Sequence, residues 1–223
     1  MATWRTLAGA LLVLLLLPAA ATARPAQPSP EEVARAVQRH YDQVKDFTAD
    51  FTHTYTGGVL KKTITERGTV QIKKPGRMRW EYTSPERKTF VSDGHKIYSY
   101  VPADRQVVVA SMPKEDEATT AVLFLAGKGD LTRDFAVSFT TGGSDDTWAL
   151  RLEPKRKQRD YDWLVLVVDR KTDQIRRLVA ADQQGGTSTF DFTNYRENTG
   201  LTDKIFAFSI PRGVDVITSG GTD

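Results

Sequence analysis

Residues 77–82 read Arg-Met-Arg-Trp-Glu-Tyr, and this strict alternation of charged and bulky apolar side chains fits an extended strand. Met78, Trp80 and Tyr82 point one way while Arg77, Arg79 and Glu81 point the other. The same period runs through Phe47, Ala49 and Phe51 against Thr48, Asp50 and Thr52. It resumes in Ile64, Gly68, Val70 and Ile72 beyond the Gly57-Gly58 turn. A chain written this way builds a sheet with one apolar and one solvated face, and the apolar face must be covered.

Further strands are expected at Lys88–Ser92 and Lys96–Val101 around the Asp93-Gly94 turn, and at Gln106–Ser111. Others follow at 135–139, 148–152, 163–168, 174–180, 188–195 and 205–210. Two helices interrupt them. Ser29, Pro30 and Glu32 form a capping-box start, after which Val33, Val37, Tyr41 and Val44 recur at helical spacing. Between Pro113 and about Leu131, Glu115-Asp116-Glu117 leads into Ala121-Val122-Leu123-Phe124-Leu125-Ala126 and then Gly127, which reads as a short apolar helix. The expected fold is mainly β with covering helices: an incomplete antiparallel barrel of about eleven strands. The strand aromatics either fill its interior or line a cavity, and periodicity does not separate the two.

Arg5, the apolar run Leu7–Leu17 and Ala21-Thr22-Ala23 have the order of a secretory signal peptide, with cleavage expected before Arg24. Residues 1–23 are then the leader and 24–223 one exported, soluble domain. The chain contains no cysteine, which excludes disulfides, thiolate metal sites and a lipidated N-terminal cysteine. Its formal charge is +3, too balanced for a nucleic-acid binder. The densest basic cluster, Lys155-Arg156-Lys157, reads as a solvated loop and at most a weak docking patch.

Nothing in the chain points to catalysis. His40, His53 and His95 match no metal-binding spacing, and no nucleophile elbow or phosphate-cradling loop occurs. The acids at 145–146, 160–162 and 169–173 sit where turns are expected, a place aspartate favours for local hydrogen bonds. No enzyme activity, metal or cofactor is expected; a hydrolase with a site assembled only by folding is the remaining enzymatic alternative.

The stretch Ile72-Lys73-Lys74-Pro75-Gly76-Arg77-Met78-Arg79-Trp80, followed by Val91-Ser92-Asp93-Gly94 and an aromatic strand, resembles the outer-membrane lipoprotein carrier family LolA. Phe206-Ala207-Phe208-Ser209-Ile210-Pro211-Arg212-Gly213-Val214 is similar to that family's C-terminal pattern, and 120–126 fits its apolar lid helix. The same fold serves LolB receptors and RseB-like regulators, and the latter supply an alternative role as a lipid sensor. LolB begins its mature chain with cysteine; this chain has none.

The resemblance implies a periplasmic, monomeric carrier that shields lipoprotein acyl chains. It also implies an inner-membrane ABC-type release complex and an outer-membrane acceptor of the LolB kind as partners. The acyl site is then expected from Met78, Trp80, Tyr82 and Phe90 on the strands and Val122, Leu123, Phe124 and Leu125 on the lid. In the best-studied branch an arginine before the motif proline bonds to lid backbone; here that position is Lys74, which cannot make a two-pronged guanidinium contact. Lys74 shares the parity of Ile72 and so can reach the apolar side, whereas Arg79 falls on the opposite face.

Overall fold

Twelve strands lie in one sheet in the computed structural model, which describes residues 27–59, 61–112, 124–127, 129–158 and 161–219. They are β1 (Asp46–Thr56), β2 (Thr63–Lys73), β3 (Arg77–Ser84), β4 (Lys88–Asp93), β5 (Lys96–Val101) and β6 (Gln106–Ser111), then β7 (Phe135–Phe139), β8 (Thr147–Pro154), β9 (Trp163–Asp169), β10 (Ile175–Ala181), β11 (Thr187–Glu197) and β12 (Asp215–Ser219). The order across the sheet is β12-β6-β5-β4-β3-β2-β1-β11-β10-β9-β8-β7, open at both edges. Neighbours pair antiparallel throughout, except that β12 runs parallel to β6. The expected incomplete barrel is thus an open sheet with one strand more than anticipated.

Register makes the inner face continuous. Phe51 lies opposite Phe192 on β11 and Gly68 on β2; Val70 opposes Trp80, which opposes Phe90. On the other flank Phe190, Leu178, Leu166 and Leu150 follow one another across four strands. The apolar side chains at these positions form one core cluster, with Phe90 half-buried against it.

Helix α1 (Pro30–Gln43) lies over the β7–β8 end of that face. Its start is built as the sequence implies: the Ser29 hydroxyl accepts from Glu32 N–H at 3.2 Å, and the Glu32 carboxylate accepts from Ser29 N–H at 2.7 Å. The expected stripe Val33, Val37 and Tyr41 is buried, with Ala34 beside it. The apolar helix anticipated from Pro113 to about Leu131 falls largely outside the described residues. Within them Phe124 and Leu125 are helical, Gly127 turns the chain at φ +82°, and a separate helical turn spans Leu131–Asp134. The signal-peptide segment also lies outside the described residues.

Residues 205–210 do not form the expected strand. A 3-10 turn, Asp203–Phe206, is followed by irregular chain crossing the outer face of the sheet, where Phe206 is buried and Phe208 stacks on Tyr98 with ring centroids 5.3 Å apart. A Phe-x-Phe spacing serves a strap plugging rings onto a sheet as well as it serves a strand. Val91 and Val107, which the alternation turns outward, are buried on this side. The buried Asp46 holds the start of the strap: its carboxylate accepts from the backbone N–H groups of Thr199 (2.7 Å), Gly200 (3.1 Å) and Leu201 (3.3 Å).

Candidate functional site

The inner face between β11 and β4 is a wall of rings. Phe51 meets Trp80 and Tyr82 edge-on with centroids 5.0 and 4.8 Å apart, Trp80 meets Phe190 at 5.4 Å, and Tyr82 meets Phe90 at 5.5 Å. Gly68 makes this wall feasible. A β-carbon there would stand 2.8 Å from Phe51 Cζ and 2.0 Å from the Glu81 carbonyl oxygen. Glycine lets the Phe51 ring lie flat over the strand. The strand residues expected to meet acyl chains therefore gather: Met78, Trp80 and Tyr82 are buried in this wall and Phe90 is half-buried at its side.

Phe124, Leu125 and Ala126 lie buried over the same face, with the Phe124 ring 5.7 Å from that of Tyr41. Val122 and Leu123 lie outside the described residues. The end of this cover is tied to the β2–β3 turn, because Gly76 N–H donates to the Ala126 carbonyl at 3.0 Å. Lys74 sits in the same joint. Its ammonium donates to the Tyr41 carbonyl near the end of α1 and stands 5.6 Å from the Tyr41 ring centroid, while its methylene stem passes against Gly127. Burial lowers its proton affinity, with Asp42 and Glu197 opposing. Arg79 points outward, donating to Glu81 at 2.6 Å and to the Ile205 carbonyl at 3.2 Å.

Toward the hairpin end of the wall the inner face turns polar. Glu66 is buried there, 2.5 Å from the Lys88 ammonium and 3.4 Å from His53 Nδ1, and the His53 ring stacks on Phe190 at 4.2 Å. Burial lowers the His53 pKa below the ordinary imidazole value of 6.5, with Glu66 opposing. Glu66 shares the parity of Ile64, Gly68 and Val70, and Lys88 that of Phe90. That shared parity is the sequence signal for the cluster, and a search for apolar alternation alone does not pick it out.

The remaining candidate features lie apart. A groove of about 670 Å³ lined by Thr48, Asp50, Thr69, Gln71, Asn194 and Arg196 is on the outer face and polar, unsuited to hydrocarbon. Lys155, Arg156 and Lys157 are exposed after β8. Among the described residues no three His, Asp or Glu side chains gather as a metal would need.

The sequence matches the family described as "Outer membrane lipoprotein carrier protein LolA" over residues 42–209. The chain belongs to the LolA family. It is 29% identical to an outer-membrane lipoprotein carrier protein of Chromohalobacter salexigens over 180 residues, covering 81% of this chain and 84% of that one. It is 30% identical to the protein of the same description from Hahella chejuensis over 177 residues, covering 78% and 82%. In fold it is similar to the crystal structure of an uncharacterized conserved protein from Thermus thermophilus, with a TM-score of 0.52, 13% identity, and coverage of 84% of this chain and 98% of that one. The LolA match runs from the end of α1 through the ring wall and the cover to Ser209 in the outer strap, so the ring wall, Lys74 and the Glu66–Lys88 pair lie inside it, while Tyr41 falls one residue before it.

Proposed function

We propose that this LolA-family protein holds the acyl chains of lipoproteins against its inner ring wall and carries them through the periplasm from the inner to the outer membrane. It then works as a binding protein and not as an enzyme. The supporting observation is a continuous apolar face, Leu150 to Phe90, against which Phe124, Leu125 and Ala126 lie buried beside the β2–β3 turn. Acyl chains cannot cross water unprotected: each methylene moved out of water gains about 0.8 kcal/mol, so a long chain represents about 10 kcal/mol before ordering and opening costs.

A cover that rests on the carrier's own wall competes with cargo for the same surface, which moderates affinity and lets the load be passed on. In this reading Lys74 is the latch, with Val122, Leu123, Phe124 and Leu125 moving aside as the lid. Methionine at position 78 adapts to irregular chains through its flexible thioether. Loading energy comes from an inner-membrane ABC-type release complex, and an outer-membrane acceptor receives the cargo. Residues 1–23 direct export and are cleaved from the carrier, leaving residues 24–223 in the periplasm.

The test is reconstitution. Inner-membrane vesicles supplied with ATP and the mature wild-type protein should release lipoprotein as a soluble complex with it. Vesicles that retain all their lipoprotein while supporting release by another family member would overturn the reading.

A further inference from the structure

Two ring nitrogens of the inner wall, Trp80 Nε1 and His53 Nε2, are buried without a hydrogen-bond partner among the described residues. Trp80 is only 4% exposed. Both rings pack against Phe190, Trp80 at 5.4 Å and His53 at 4.2 Å between centroids, so the unpaired polarity is concentrated on one spot of an otherwise apolar surface. A buried indole N–H left unpaired is costly, and a phenylalanine would fill the position without that cost. A donor left open at this spot suits an acceptor that arrives with a ligand.

The chemistry of that acceptor is narrow. Indole only donates, so the ligand must offer a lone pair. The surrounding rings Phe51, Phe190 and Phe192 offer no charge. The Lys88 ammonium, 5.9 Å from the Tyr82 ring centroid, is already paired with Glu66 at 2.5 Å. The acceptor is therefore neutral and attached to hydrocarbon.

We propose that Trp80 Nε1 donates a hydrogen bond to the carbonyl oxygen of an acyl ester or amide, so that the interior registers where a fatty tail ends and its head begins. This rests on the carrier reading above and refines it: the wall sets the depth at which a chain seats, with the carbonyl beside Trp80 and the polar head toward His53, Glu66 and Lys88. Pure hydrocarbon still binds, but without that stop.

Two ligands of matched length test it. Methyl laurate and dodecyl methyl sulfide differ in their acceptor, since only the first carries a carbonyl and thioether sulfur accepts weakly. Displacement of bound 1-N-phenylnaphthylamine from the mature protein should show the ester binding about five- to tenfold more tightly, the scale of one net hydrogen bond. Trp80→Phe should bring the two ligands close to equal affinity, with the thioether arm reporting whether the pocket survives. Carbon-13 infrared spectroscopy of the ester bound to wild-type protein needs no variant and should place the carbonyl stretch at lower frequency than in hexane. Equal affinity for both ligands in the wild type, a retained preference in Trp80→Phe, or tighter binding of laurate anion than of its methyl ester overturns the proposal while leaving the carrier reading intact. Failure of every ligand to displace the dye overturns both.

Discussion

The backbone N–H of Gly76 donates to the carbonyl oxygen of Ala126 at 3.0 Å, joining the turn between two strands to the end of the cover. The Lys74 stem packs beside it against Gly127, where a β-carbon would come within 2.9 Å of Lys74 Cδ. Among the described residues the end of the cover is thus joined to this turn by a backbone hydrogen bond and an aliphatic contact, beside the buried Phe124 and Leu125.

Gly127→Ala should loosen it in two ways. Alanine at φ +82° is strained by about 1 kcal/mol, and its methyl displaces the lysine stem. We expect global stability to fall by about that amount in urea unfolding, and stopped-flow uptake of a hydrophobic dye to quicken several-fold. Lys74→Ala should also speed uptake, and Lys74→Met, which keeps the stem, should do so less. Equal rates in wild type and all three variants would remove the joint from any role in gating.

Asp46→Ala tests the outer strap. Its carboxylate, 5% exposed as a residue, gathers three successive backbone N–H groups at 199–201. Removing a buried charged acceptor and orphaning its donors should cost about 3 kcal/mol. Limited proteolysis should then cut near 199–206 before the sheet unfolds; an unchanged cleavage pattern would show that Phe206 and Phe208 hold the strap alone.

What was legible in the sequence followed from period and parity. Met78, Trp80 and Tyr82 lie on one face because a strand permits nothing else, and the capping box at Ser29 forms because its hydrogen bonds are local. Residues separated by more than a hundred positions were not legible. Asp46 reads as a polar strand start until Thr199 is brought to it. Phe206 and Phe208 read as strand alternation because nothing local reveals that the sheet's outer face at Val91 and Val107 needs a cover. Glu66 inside the wall was readable by parity, but its partner Lys88 comes from a different hairpin.

His53 gives a pH dependence whose sign follows from burial. Its folded-state pKa lies below 6.5, so as pH falls the unfolded chain binds that proton first. Stability is therefore retained above 6.5 and lost on acidification below it, by at most about 1.4 kcal/mol per pH unit. Urea midpoints measured between pH 7.5 and 5.5 should fall more steeply for the wild type than for His53→Gln. Parallel curves would mean that Glu66 compensates the burial in full.

Gly68→Ala addresses the wall itself. The added methyl meets the Glu81 carbonyl at 2.0 Å, which no rotamer change relieves, and the Phe51 ring at 2.8 Å. Either the β2–β3 ladder spreads or Phe51 leaves its place between Trp80 and Tyr82, and overpacking of this kind costs about 2 to 3 kcal/mol. Near-ultraviolet circular dichroism separates the two effects, since the ring contacts at 5.0 and 4.8 Å contribute there while ladder spreading registers in the far ultraviolet. Ring displacement with the strands intact should weaken acyl-ligand binding severalfold. Normal binding with an altered aromatic signal would show that the acyl chain seats elsewhere on the inner face.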